Sequence, residues 1–275
     1  MQRALLAVIV VGVVGGAMGA YVVTRGMAFL GDALAHSVLP GVAVAFLWTG
    51  SAGTAVLVGG LAAGVLAALG IGLLARGGRL AEDTAIGVIF AGMLALGIGI
   101  ISATGNYATD LTHVLIGSVL AVTADDLALI CALGLAVVLV IALLYKEFLI
   151  ISFDPTLAQT LRLPGEALRL LLLVLLAVTI VIGVRAVGVV LVAAVLVTPA
   201  ATARFFVARL HHMMVVAAAL AAFSGVVGMY LAWHLAIAPS AAIVLTMTAL
   251  FVLAYIFAPR RGWLWSLRGR WARAA

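Results

Sequence analysis

The chain has 275 residues, 67% of them hydrophobic and only 9% charged, and its mean hydropathy is +1.38. Soluble domains carry about a quarter charged residues, so a water-covered globule is excluded. The formal charge of +6 would point to nucleic acid in a soluble protein, but here the basic residues sit in short stretches between apolar runs and report membrane orientation instead.

A transmembrane helix needs ~20 apolar residues. On that measure the expected spans lie at about 4–23, 24–48, 52–75, 84–103, 126–145, 168–184, 187–208, 213–235 and 240–258. The fold expected is all-α: a polytopic bundle of about nine, or eight, transmembrane helices in one membrane domain over 1–275. The first apolar segment, Ala4 to Val23, is too long for the core of a signal peptide and reads as a span. With the N-terminus outside and the C-terminus inside, only Arg3 and Arg185 of the fifteen Lys and Arg residues fall outside. The other thirteen share the cytoplasmic side, which is a strong orientation signal.

Residues 27–48, MAFLGDALAHSVLPGVAVAFLW, carry the chemistry. Asp32 and His36 stand four apart and so share one helical face, one turn apart. Pro40 follows four further on; it has no N–H to offer the His36 carbonyl and should break the helix. A carboxylate, an imidazole and a carbonyl oxygen converging at membrane depth make half of a metal site. The plainer alternative is an ion pair that only packs two helices.

Farther along, Gly12 and Gly16, Gly15 and Gly19, and Gly60 and Gly64 are spaced for close helix contact. Asp83 is placed to cap the span that follows it. The segment 112–122, THVLIGSVLAV, is apolar but about half a span long. A full crossing there would move every later basic residue to the other side, so it is expected to be re-entrant or interfacial on the outer side. Asp110, His113, Asp125 and Asp126 flank it as candidate outer-mouth residues, either a solvated loop or a docking surface for an external partner. Pro199 should kink the seventh span by freeing the Val195 carbonyl. His211 and His212 are expected to be solvated in an inner loop, and His234 to be interfacial.

The longest cytoplasmic loop, from Lys146 to Arg169, contains a short-helix signature. Asp154 is an N-cap residue, Pro155 occupies the first helical position, and Pro164 with Gly165 should stop the helix. Leu157 and Leu161 form an apolar pair one turn apart, with Ala158 beside them. Few basic residues accompany that edge, which disfavours the bilayer surface and favours a groove in another protein.

Five stretches resemble the zinc/manganese permease family of bacterial ABC importers: 25–47, RGMAFLGDALAHSVLPGVAVAFL; 82–98, EDTAIGVIFAGMLALGI; 110–127, DLTHVLIGSVLAVTADDL; 154–164, DPTLAQTLRLP; and 187–204, VGVVLVAAVLVTPAATAR. The resemblance spans nearly the whole chain. It implies an all-helical permease in the bacterial inner membrane that dimerises, sits on two ATP-binding subunits and receives metal from an extracytoplasmic binding protein. By the same resemblance Asp32 and His36 would line the metal path. The coupling helix would be 154–164, within the cytoplasmic loop 146–167.

The residues point the same way. One Asp and one His are too few for a closed site, but two copies about a twofold axis would supply four ligands. Imidazole with carboxylate suits zinc and tolerates manganese or ferrous iron. No G-x-x-x-x-G-K-[ST] pattern occurs, so ATP would belong to a partner chain. No permanently bound cofactor and no nucleic acid are expected; the divalent metal is cargo. The competing readings are an ABC permease for cobalamin or iron chelates, and a secondary metal transporter or channel without an ATPase.

Overall fold

The computed structural model describes residues 2–50, 54–78, 80–103 and 122–258. Every regular element among them is helical: α1 Gln2–Thr24, α2 Ala28–Ser37, α3 Leu39–Thr49, α4 Thr54–Leu74, α5 Glu82–Ala103, α6 Ala124–Leu143, α7 Tyr145–Phe153, α8 Pro155–Thr160, α9 Gly165–Val187, α10 Val189–Phe206, α11 Leu210–Leu235 and α12 Pro239–Phe257. A single 3-10 turn, Arg76–Gly78, follows α4. Among the described residues, eight helices are long and apolar enough to cross a membrane, with Ala28–Thr49 counted as one. The remaining expected span, the seventh, is α10, whose apolar part, Leu191–Phe206, is shorter. At about 1.5 Å per residue an 18-residue helix reaches only ~27 Å, slightly less than a hydrocarbon core.

α1 lies at the centre, packed on α6, α9, α10 and α11. The glycine pairs explain how. A Cβ at Gly16 would stand 2.7 Å from the Ala218 nitrogen of α11, and one at Gly19 would strike the Leu196 carbonyl oxygen of α10. Gly12 and Gly16 thus open one face of α1 to α11, while Gly15 and Gly19 open another to α10. Backbones this close gain dispersion contacts where no water is present to drive association. Gly60 and Gly64 of α4 likewise receive Val38 and Val181.

Two polar clusters mark opposite ends of the bundle. Arg169, at the start of α9, meets Glu82 at the start of α5. Arg185, at the end of α9, meets Asp126 at the start of α6. α5 therefore begins at the Arg169 end, where Arg25 also stands 3.8 Å from Glu82, and α6 begins at the Asp126 end. The helix ends flanking 104–121 thus lie on the same side. Asp110, His113 and most of 112–122 lie outside the described residues.

Three local expectations change. The stretch after Lys146 is not open loop: α7 covers Tyr145–Phe153 because Phe148 and Ile151, one turn apart, bury against the core, with Phe148 edge-on to Tyr21 at 6.0 Å. The helix begun at Asp154 ends at Thr160, not at Pro164. Its stop is Arg162, which turns left-handed at φ 53° while the Leu163 N–H reaches back to the Ala158 carbonyl. Pro164 and Gly165 open α9 rather than close α8. Asp83 lies inside the first turn of α5, whose first residue is Glu82, so it is not the residue ahead of the helix.

Candidate metal site and its supports

α2 and α3 form one apolar stretch broken at Val38. Pro40 sits in the first turn of α3, where its missing N–H breaks no internal bond. The Val38 N–H turns back to the His36 carbonyl, so that oxygen is not wholly bare as the sequence suggested. On α2 the register holds: Asp32 Oδ1 stands 3.7 Å from His36 Nε2. Both side chains are half open, at 45% and 38% exposure, whereas their helix neighbours Leu30, Ala33, Leu34 and Ala35 are buried. The polar stripe of α2 therefore faces away from the packed core.

The two groups can contribute one carboxylate and one imidazole. Among the described residues no set of three or more His, Cys, Asp or Glu side chains comes together. Two such groups are too few to close a four-coordinate site by themselves. The face of α5 beside this pair carries Phe90, whose ring stands steeply inclined to those of His36, at 5.9 Å, and Phe29, at 5.7 Å. Sequence reasoning missed Phe90, because nothing in its own stretch shows which helix it will touch.

α8 lies at the Arg25 end. The Asp154 carboxylate accepts from the Leu157 N–H at 2.9 Å, the cap that the sequence predicts, and Pro155 is in the first turn. Ala158 is buried, while Leu157 and Leu161 are 43% and 53% exposed. The helix is thus pinned by one small residue and presents two leucines outward.

Asp125 is exposed, and Asp126 is half-buried. Thr123 and Asp126 form a reciprocal capping box at the head of α6. Asp126 also accepts from Arg185 Nε at 3.1 Å and from Nη2 at 2.8 Å. Of the four candidate outer-mouth residues, this one is fixed in place by a cap and an ion pair. At the opposite end Glu82 accepts from Arg169 at 3.0 Å and stands 3.8 Å from Arg25, while Arg169 also meets Glu166 at 3.1 Å and the Gly72 carbonyl at 2.6 Å. Burial pulls the Arg25 guanidinium below its ordinary pKa, with Glu82 acting against that shift. The only trace of this network in the sequence is the i, i+3 spacing of Glu166 and Arg169.

Pro199 lies buried inside α10, which runs on as helix past it. His211 and His212 are exposed with rings 4.0 Å apart. His234 Nδ1 lies 2.9 Å from the Tyr230 carbonyl at the exposed end of α11. Cys131 is free and exposed on α6.

The ABC 3 transport family matches residues 1–258. The chain belongs to that family. It is 40% identical over 271 residues to the manganese transport system membrane protein MntC of Listeria monocytogenes, covering 97% of this chain and 93% of the relative. It is 36% identical to the manganese import system permease protein ScaB of Streptococcus pneumoniae, over 95% and 91% of the two chains. A solved structure, PsaBC from Streptococcus pneumoniae in complex with Fab, superposes with a TM-score of 0.83 at 37% identity, covering 96% of this chain and 93% of the other. The chelated iron transport system membrane protein YfeD of Yersinia pestis is 36% identical over 94% of this chain and 85% of its own length. The family and the eight apolar helices make this a multi-pass membrane transport subunit.

Proposed function

We propose that the chain is the permease of an ATP-driven importer for a divalent transition metal, and that Asp32 and His36 are transit ligands. The observation that carries this reading is the half-open Asp32/His36 pair on an apolar span, 3.7 Å apart and turned away from the core. In lipid such an exposed pair is costly, so a water-lined path or a second copy must cover it. Two copies would bring two carboxylates and two imidazoles to one ion. α5, beside the pair, buries only Ala85, Ile86 and Gly97 against its own chain, which leaves room for that second copy.

Manganese is the favoured cargo because the similar permeases MntC and ScaB are named for it. Imidazole and carboxylate accept manganese, zinc and ferrous iron alike. The exposed edge of α8, Leu157 and Leu161, is the surface for one of two ATP-binding subunits. An extracytoplasmic binding protein delivers the ion at the Asp126 end, and the complex resides in the bacterial inner membrane. The similarity to YfeD, named for chelated iron, supports a second reading, in which the cargo is a chelate. A single carboxylate–imidazole turn suits a bare ion better than a bulky complex.

The test is ATP hydrolysis and uptake by the reconstituted importer, with Mn²⁺, Zn²⁺, Fe²⁺ and a ferric chelate supplied separately. Stimulation by Mn²⁺ is expected. Stimulation by the chelate alone would replace the bare-ion reading.

A further inference from the structure

On α2, residues Phe29, Asp32 and His36 fall at i, i+3 and i+7, so they form one ladder on one face. Phe90 of α5 touches both ends of that ladder, Phe29 at 5.7 Å and 81°, and His36 at 5.9 Å and 64°. One phenyl ring therefore brackets the carboxylate that lies between its two partners. No hydrogen bond from another side chain or a carbonyl holds the His36 ring among the described residues; besides Asp32 at 3.7 Å, the ring contact is Phe90. Metal-bound histidines are ordinarily oriented by such a hydrogen bond on the second ring nitrogen.

We propose that Phe90 is a positioning residue of the metal site, setting the plane of the His36 imidazole by edge-to-face contact. The inference rests on the reading of Asp32 and His36 as metal ligands. The physics is direct. A ring packed steeply against the imidazole restricts its rotation, and an aromatic pair at such an angle adds a preference for that plane beyond simple apolar burial. Phe29 supports the arrangement by packing its own ring against Phe90 at 81°. α5 itself is held beyond the site, where a Cβ at Gly97 would stand 2.8 Å from Leu39.

The experiment is Mn²⁺ uptake by the assembled importer in proteoliposomes over a range of ion concentrations, with Phe90→Leu, Phe90→Tyr, Asp32→Asn and His36→Ala. Phe90→Leu keeps an apolar side chain of similar bulk and removes only the ring. It should raise KM for Mn²⁺ about two- to tenfold, the size of one aromatic edge-to-face contact, with Vmax within about twofold. Phe90→Tyr should restore the wild-type KM. In the purified permease loaded with Co²⁺, the ligand-field absorption should change in Phe90→Leu and not in Phe90→Tyr. Thermal unfolding of each variant checks that the bundle is intact. An unchanged KM and Co²⁺ spectrum in Phe90→Leu, while Asp32→Asn and His36→Ala abolish uptake, would overturn the positioning role and leave the ligand assignment standing. Wild-type uptake in Asp32→Asn and His36→Ala would overturn both.

Discussion

Arg169 and Glu82, 87 positions apart in sequence, meet at 3.0 Å, and the same guanidinium reaches the Gly72 carbonyl at 2.6 Å. One side chain thereby ties the heads of α9 and α5 to the foot of α4. Its exposure is 11%, so the charge is largely removed from water. Removing Arg169 leaves Glu82, itself 32% exposed, only the Arg25 guanidinium at 3.8 Å, and leaves the Gly72 carbonyl without this donor. Arg169→Met should destabilise the bundle by about 1–3 kcal/mol, read as a lower melting temperature in detergent. The double variant Glu82→Gln with Arg169→Met should recover part of the loss. Melting of the single variant at the wild-type temperature would show that solvent screens the pair.

The ligand pair makes a sharper prediction. Asp32→Asn barely alters volume but removes the negative charge that offsets a divalent ion, and His36→Ala removes a nitrogen donor. Each should abolish metal uptake while the protein still reaches the membrane in wild-type amounts. His36→Cys should retain some zinc uptake and lose manganese, since a thiolate suits the softer ion. Uptake measured ion by ion in proteoliposomes decides it.

On α8 the relevant surface is the exposed pair Leu157 and Leu161. Changing both to Asp should leave the bundle folded, because neither side chain is buried in it. It should lose co-purification with the ATP-binding subunit, since a buried, unpaired charge at that interface is costly. Ala158→Leu is the contrasting variant. Ala158 is 5% exposed, so the larger side chain should disturb the docking of α8 on its own bundle and lower the melting temperature. Normal coupling in the double Asp variant would remove α8 from the interface.

Orientation follows from labelling. In a Cys131→Ser background, Leu161→Cys on the isolated permease should react with an impermeant thiol reagent only from the cytoplasm. His234→Cys should react only from outside. Both positions are exposed. The opposite pattern would invert the bundle.

Gly16→Val tests the packing of α1. The new Cβ would stand 2.7 Å from the Ala218 nitrogen, a backbone atom that cannot step aside. α1 and α11 must separate, at roughly 1–3 kcal/mol or more. A lowered melting temperature is the expected result. Gly92→Ala on α5, with nothing within 4 Å of its Cβ position, should melt as wild type or slightly higher.

Much of this was legible in one dimension because helix geometry is local. The 3.6-residue turn alone puts Asp32 over His36, makes Asp154 a cap for α8, and gives Gly12/Gly16 and Gly15/Gly19 their open faces. The scarcity of charge alone requires a membrane, and Pro40 marks a place where the helix can kink. What spacing could not supply was every relation between distant segments. Phe90 meets His36, Arg185 meets Asp126 and Arg169 meets Glu82 only because particular helices pack side by side. In an apolar chain nearly any helix face can be buried, so hydrophobic pattern does not choose the neighbour. Two local outcomes also depended on packing. Burial of Phe148 and Ile151 turned the stretch after Lys146 into α7, and α8 stopped at a left-handed Arg162, ahead of Pro164 and Gly165 where the sequence placed the stop. Backbone propensity leaves both choices open, and contact with the rest of the bundle decides them.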